Sequence, residues 1–264
     1  MPSHRDPSVD RRRSEFATPV GRLLVRITRL LARWVGPHAA LLLIIAIGGG
    51  IATALTAASA EVYESVVEAD GVAALDQPVL DLMVSLRQDW LNTIITGYTN
   101  IGGPIGMPIL AVAVMVLLAV RSRSWTPVIL IPAAAFGSLL MTVAGKDAIG
   151  RLRPPIELAV PPYASSPSFP SGHSLNALVI AGIVAYLLVL REHRKRTRAV
   201  TIILALLFAV TMGLSRVYLG HHWLTDVLVA WTLGIAWLAV VITSHRLILA
   251  GRPRSGTEVR DTPA

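Results

Sequence analysis

Three short stretches of this 264-residue chain concentrate side chains able to handle an oxyanion. "KDAIGRLRP" places Lys146 seven positions ahead of Arg153, with Pro154 following. "SFPSGHS" places Ser171, Gly172 and His173 at the head of a long apolar run, and "SRVYLGHHWLTD" holds Ser215, Arg216, His222 and Asp226. A phosphate monoester or diphosphate needs cations aimed at its non-bridging oxygens. Lys146, Arg153 and Arg216 can supply them, and a planar guanidinium meets two oxygens at once. Gly172 has no side chain, so its N–H can approach a phosphate closely; at a helix start, free N–H groups and the helix dipole favour an anion. Ser171 adds a hydroxyl donor. His222 and Asp226 are four apart and share a face if helical. A carboxylate beside one imidazole nitrogen fixes the tautomer and leaves the other nitrogen free to attack phosphorus.

Each of these residues alone has a plainer reading. A basic residue at a span end is an interfacial anchor with a snorkelling stem. His222 alone is an interface histidine, and Asp226 alone a capping carboxylate. Those readings weaken when His173, Lys146 and Arg216 join them. A metal site from His173, His222 and Asp226 is a further option, but three nearby cations would repel a divalent ion. His221 adjoins His222; by spacing it pairs with Thr225 and reads as an interfacial bystander. Arg151 either assists a second phosphate or meets lipid head groups, and the second reading is preferred. Asp147 has no assigned role.

The elements that must position these residues are membrane helices. The chain is 53% hydrophobic and only 15% charged, with a mean hydropathy of +0.61; a soluble domain would carry more charge. Several apolar runs exceed the roughly 20 residues needed to cross a bilayer. They are continuous, which predicts helices rather than an alternating barrel. Six spans are expected: about 38–60, one ending near 120 whose start is blurred by "IGGPIG" at 101–106, then about 125–145, 173–190, 199–217 and 223–245. Small residues such as Gly182, Gly213 and Gly234 could allow close helix approach. "ASA" at 58–60 resembles a signal-peptidase site, but the long basic leader and the length of the run favour an uncleaved span. There are no cysteines, which excludes disulfides, thiolate nucleophiles and cysteine metal sites.

Charge orients the bundle. Of 24 Lys and Arg, eight lie in 1–36, two at 121–123, five at 191–198 and four from Arg246 onward. The positive-inside rule puts those 19, and both termini, in the cytoplasm. Arg87, Lys146, Arg151, Arg153 and Arg216 remain on the opposite side, with an acidic segment 61–89 that includes Asp76. His38, His193 and His245 sit at cytoplasmic ends. The net charge of +8 therefore marks membrane orientation and not a nucleic-acid partner. Residues 1–36 are expected to form a basic segment with an amphipathic helix at 21–35, whose Arg22, Arg26, Arg29 and Arg33 suit an anionic membrane surface. Residues 37–247 form the six-span domain, and 248–264 a disordered cytoplasmic tail.

Together, K-x6-RP, PSGH and SR-x5-H-x3-D, in that order and on one membrane face, resemble the three-part signature of the type 2 phosphatidic acid phosphatase superfamily. All defining residues match. The resemblance implies an all-α, polytopic six-transmembrane-helix bundle of the acid phosphatase and vanadium haloperoxidase type. It implies phosphate binding by Lys146, Arg153, Ser171, Gly172 and Arg216. It also implies a phosphohistidine on His222 oriented by Asp226, with His173 as proton donor to the leaving oxygen and helper of the attacking water. A metal-independent enzyme without cofactor follows, acting on a membrane lipid phosphate at the outer leaflet of the cell's inner or plasma membrane. Polyprenyl diphosphate is the first expected substrate, ahead of phosphatidic acid and phosphatidylglycerophosphate. Phosphotransfer through the same intermediate, and a non-catalytic lipid-binding or transport relative, are the alternatives. The proline-rich loop 154–170 is expected to rim the site. Oligomeric state is not readable from the sequence.

Overall fold

The structure, a computed structural model, describes residues 71–251, and every element among them is helical. Seven α-helices follow a 3-10 turn at Gly71–Leu75: α1 (Asp76–Ser85), α2 (Asp89–Ile101), α3 (Gly106–Ser122), α4 (Thr126–Ile149), α5 (Gly172–Val189), α6 (Lys195–Tyr218) and α7 (Leu224–Gly251). The expected amphipathic helix at 21–35, the first span at 38–60, the "ASA" stretch and the tail from 252 lie outside the described residues. The chain divides into two compact units. One is Ile51–Ile242; the other comprises Met1–Gly50 and Thr243–Ala264, of which the end of α7 is described.

Four helices, α4 to α7, are long and apolar enough to cross a membrane; a fifth candidate is the pair α2–α3, bent by 53°. Six spans were expected, so the described residues hold at most five. The bend has a local cause. Gly102, Gly103 and Pro104 interrupt the helix: proline lacks an N–H and disfavours a helical residue before it. Gly102 N–H closes α2 by donating to Thr99 O at 3.0 Å.

Many large apolar side chains on these helices are exposed, among them Ile109, Leu117, Phe136, Ile203 and Ile235. On a soluble protein such a surface would aggregate; facing acyl chains it is matched. The helix α5 is central: 56% of its apolar window is buried, against 33% for the other three long helices. Its Leu175, Val179 and Ile183 join Ile131 and Ala134 of α4, Met212 of α6 and Ala230 of α7 in one core. Without a hydrophobic drive between helices in lipid, small residues and polar ties hold them together. A Cβ at Gly182 would collide with Leu238, at Gly234 with Leu178, and at Gly213 with Trp231 and Val227. Ser138 of α4 donates to Asn176 of α5 at 2.6 Å, and the hydroxyls of Tyr98 on α2 and Thr211 on α6 lie 2.6 Å apart.

Candidate functional site

Four helix ends meet at one end of the bundle. The last turn of α4 carries Lys146, the first residues of α5 are Gly172 and His173, the last turn of α6 carries Arg216, and the first turn of α7 carries Asp226. Gly150 ends α4 with φ +62° and its N–H on Lys146 O at 3.0 Å; a residue without Cβ takes that left-handed position at no steric cost. The loop after it runs back across the ends and joins α7 to α5, where Ser171 N–H donates to Asp226 O at 3.3 Å.

Asp226 is fully buried and surrounded by donors. Oδ1 accepts from Arg151 Nη1 at 2.7 Å. Oδ2 accepts from Trp223 N at 3.0 Å and from the Ser168 hydroxyl, and it lies 3.3 Å from His222 Nδ1. His222 is therefore protonated on Nδ1 toward the carboxylate, which leaves the Nε2 lone pair free. Arg153 Nη1 faces that lone pair at 3.3 Å. Burial pushes the His222 imidazole down to about 3, against the raising pull of Asp226 and helped by Arg153 and Arg216. At neutral pH it is an uncharged ring with an available lone pair.

Arg153 and Arg216 act on this ring, and Lys146 lies in electrostatic reach of both cations. Arg153 is held by the loop it belongs to: Nε donates to Ser166 O at 2.7 Å, Nη2 to Ser166 Oγ at 3.2 Å, and Nη1 also to His221 O. Burial pushes its pKa below the ordinary guanidinium value, against the raising pull of Asp226. Lys146 Nζ donates to Pro167 O. Arg216 is buried, with Nη1 on Thr99 Oγ1 at 3.0 Å and Nε without a partner. None of the three has a salt bridge among the described residues. Concentrated positive charge with no carboxylate bonded to it is what an anion site requires. His173 lies in the electrostatic reach of Arg216, His222 and Arg153. Gly172 packs on Thr142, where a Cβ would come within 3.0 Å. The Ser171 hydroxyl, buried, lies 2.8 Å from that of Ser174. All eight sequence-derived site residues thus occupy one end of the bundle; Asp226, Arg153 and Arg216 bond His222 directly, and Ser171 does so through Asp226. Loop 150–167 walls a cleft of about 320 Å³ beside Arg153 and His221. No three His, Asp or Glu among the described residues form a metal-holding group.

Two expectations need correction. Arg151 does not reach for head groups: its side chain, 10% exposed, lies between Asp76 and Asp226, 2.7 Å from each, with its guanidinium 5.5 Å above the Trp223 ring. His221 does not pair with Thr225 and is not interfacial. It is 4% exposed, and its Nε2 donates to Val160 O at 2.7 Å, anchoring the loop. Thr225 instead bonds Asp76. Arg87 also serves this anchoring, donating to Tyr218 O and Leu158 O.

The sequence reading missed Ser168, Thr99 and Asp76. Ser168 stood inside the quoted "SFPSGHS", and its burial was the only signal lacking. Thr99 and Asp76 contact the site across more than a hundred residues, which no local pattern reports. Gly103 is the other omission: a Cβ there would stand 3.5 Å from His173 Nε2, so the break between α2 and α3 abuts the site.

Residues 125–248 match the family model described as the PAP2 superfamily. Phosphatidylglycerophosphatase B of Bacillus subtilis is 34% identical over 179 residues, covering 66% of this chain and 85% of that protein. Undecaprenyl-diphosphatase of Sulfolobus acidocaldarius is 34% identical over 114 residues, covering 40% of this chain and 50% of that protein. The crystal structure of a transmembrane PAP2-type phosphatidylglycerolphosphate phosphatase from Bacillus subtilis superposes with a TM-score of 0.64 at 28% identity, over 82% of this chain and 98% of that one. Aquifex aeolicus LpxE, at 22% identity and TM-score 0.51 over 64% of this chain and 95% of that one, shares the fold.

Proposed function

The chain belongs to the PAP2 superfamily, and on that premise we propose that it cleaves the terminal phosphate from a membrane lipid through a phosphohistidine at His222. That it is a membrane lipid-phosphate phosphatase of PAP2 type rests on its relatives and its apolar helices. The observation carrying the mechanism is the buried His222, its Nδ1 on Asp226 and its Nε2 facing a cation that has no salt bridge among the described residues. Lys146, Arg153 and Arg216 hold the phosphoryl oxygens, with Ser171 and the Gly172 N–H at the start of α5. His222 Nε2 forms a bond to phosphorus as the bond to the lipid oxygen breaks. Asp226 stabilises the charge that develops on the ring. His173 gives its proton to the leaving oxygen, and the arriving anion supplies the counter-charge an imidazolium there needs. Water then attacks phosphorus, His173 takes its proton, and inorganic phosphate leaves. The cations do the work a metal would otherwise do, so no metal is required.

Phosphatidylglycerophosphate is the first substrate proposed, because the relative matched over 85% of its length and the solved structure matched over 98% of its chain both bear that activity in their names. Polyprenyl diphosphate, foremost on sequence grounds, is the second, supported by the shorter match. Positive-inside topology supports a site on the extracytoplasmic side. The test is phosphate release by detergent-purified protein in EDTA, with phosphatidylglycerophosphate, undecaprenyl diphosphate and phosphatidic acid side by side and His222→Ala as control. Release from one lipid that vanishes in the variant is expected. Activity lost to EDTA, or retained by His222→Ala, would contradict the mechanism.

A further inference from the structure

Asp76 lies ahead of the segment 125–248 that matches the family, on a helix outside all three motifs. Its carboxylate is nonetheless buried, 5% exposed, against the catalytic end of α7. Oδ1 accepts from Thr225 N at 2.8 Å, and Oδ2 from Thr225 Oγ1 at 2.6 Å and Arg151 Nη2 at 2.7 Å. Arg151 Nη1 donates to Asp226 Oδ1, also at 2.7 Å, and Asp226 Oδ2 faces His222 Nδ1 at 3.3 Å. One bonded chain therefore runs Asp76, Arg151, Asp226, His222.

Burying three charges is unfavourable unless each is satisfied, and such a cluster is weak evidence for stability. Its geometry serves the histidine instead. Asp226 has one oxygen for the imidazole and one for a guanidinium, so Arg151 fixes the carboxylate's rotation. Were Arg151 paired with Asp226 alone, its whole charge would fall on the carboxylate and weaken the pull on the Nδ1 proton. A second carboxylate shares that charge, and by holding Thr225 N–H it also fixes the first turn of α7. We infer that Asp76 is a positioning residue for the His222–Asp226 pair, acting through Arg151. This rests on His222 being the nucleophile.

Asp76→Asn keeps the shape and an acceptor for Thr225 N–H while removing the charge. In the three-lipid assay, with folded protein selected by size exclusion, kcat should fall about 10- to 100-fold, as for outer-shell partners of active groups. KM should stay within about twofold, since no substrate contact is removed. The double variant with Arg151→Gln should lose no more than Arg151→Gln alone. Thr225→Val, which removes hydrogen bonds but no charge, should lose less than Asp76→Asn; an equal loss would point to a merely structural role and overturn the inference. Should Asp76→Asn not fold, Asp76→Glu is read: turnover near wild type is expected, and a loss as deep as that of His222→Ala overturns it. Wild-type kcat in Asp76→Asn beside an inactive His222→Ala defeats this inference alone. Phosphate release by His222→Ala defeats the reading beneath it.

Discussion

A histidine attacks phosphorus only in its neutral form, and His222 holds that form through burial. Its neighbour His221 is pushed down to about 4, first by burial and then by Arg216, as His222 is pushed to about 3. Both are therefore uncharged when folded, whereas in the unfolded chain they titrate near the ordinary imidazole value of 6.5. A group with a depressed folded value contributes its stability above the unfolded value and loses it as pH falls. The melting temperature of the solubilised protein should thus decline as pH drops from 6.5 toward 4. His221→Gln, whose amide can still donate to Val160 O, should flatten part of that decline. Identical slopes for the variant and the wild type would show that His221 is not buried neutral. At this scale the sequence was most informative: His222, Asp226 and the three cations are legible by type and spacing. Arg151 was misread because a basic residue at a span end is ordinarily an anchor, and only its distant partner Asp76 reveals otherwise.

Helix ends, more than helix bodies, build the site. Each motif sits where a span starts or stops, so the motifs and hydropathy together locate α4 to α7. The break between α2 and α3 was visible as "IGGPIG" but read as a blurred boundary, because glycine and proline carry no periodicity. Its position beside His173 is a tertiary fact. A Cβ at Gly103 would stand 3.1 Å from Asn100 O, a tight contact with backbone, and 3.5 Å from His173 Nε2, and branches beyond it would press on the ring. Gly103→Val should lower kcat by about tenfold or more by pressing on the His173 ring, and Gly103→Ala, which is tight only against Asn100 O at 3.1 Å, should lower it less. Turnover unchanged in Gly103→Val, by phosphate release, would separate the break from the site. In the membrane body, Gly137→Ala would drive a methyl into the Trp237 indole. A loss of about 1–3 kcal/mol is expected for such overpacking, read as a lower melting temperature with little change in the activity of the folded fraction.

The described residues form apolar membrane helices, and the candidate site lies where the ends of α4 to α7 meet. Hydropathy made the membrane class plain; the described residues hold four spans, or five with the bent α2–α3 pair, and the first expected span lies outside them. Orientation rests on the Lys and Arg count and can be tested independently. The chain has no cysteine, so single cysteines report cleanly. Ser165→Cys, in the loop at the site end, should react with a membrane-impermeant maleimide in intact cells. His193→Cys, between α5 and α6, should react only after permeabilisation. The reverse pattern would place the site in the cytoplasm and remove outer-leaflet substrates from consideration.

The most direct test of the central claim is to trap the intermediate. Purified protein is mixed with a lipid substrate carrying labelled terminal phosphate, quenched in base, which preserves phosphohistidine, and mapped by mass spectrometry. A phosphoryl group on His222, absent from Asp226→Asn or much reduced there, is the result this mechanism predicts. Label on no residue while phosphate is still released, or label on His173, would contradict it.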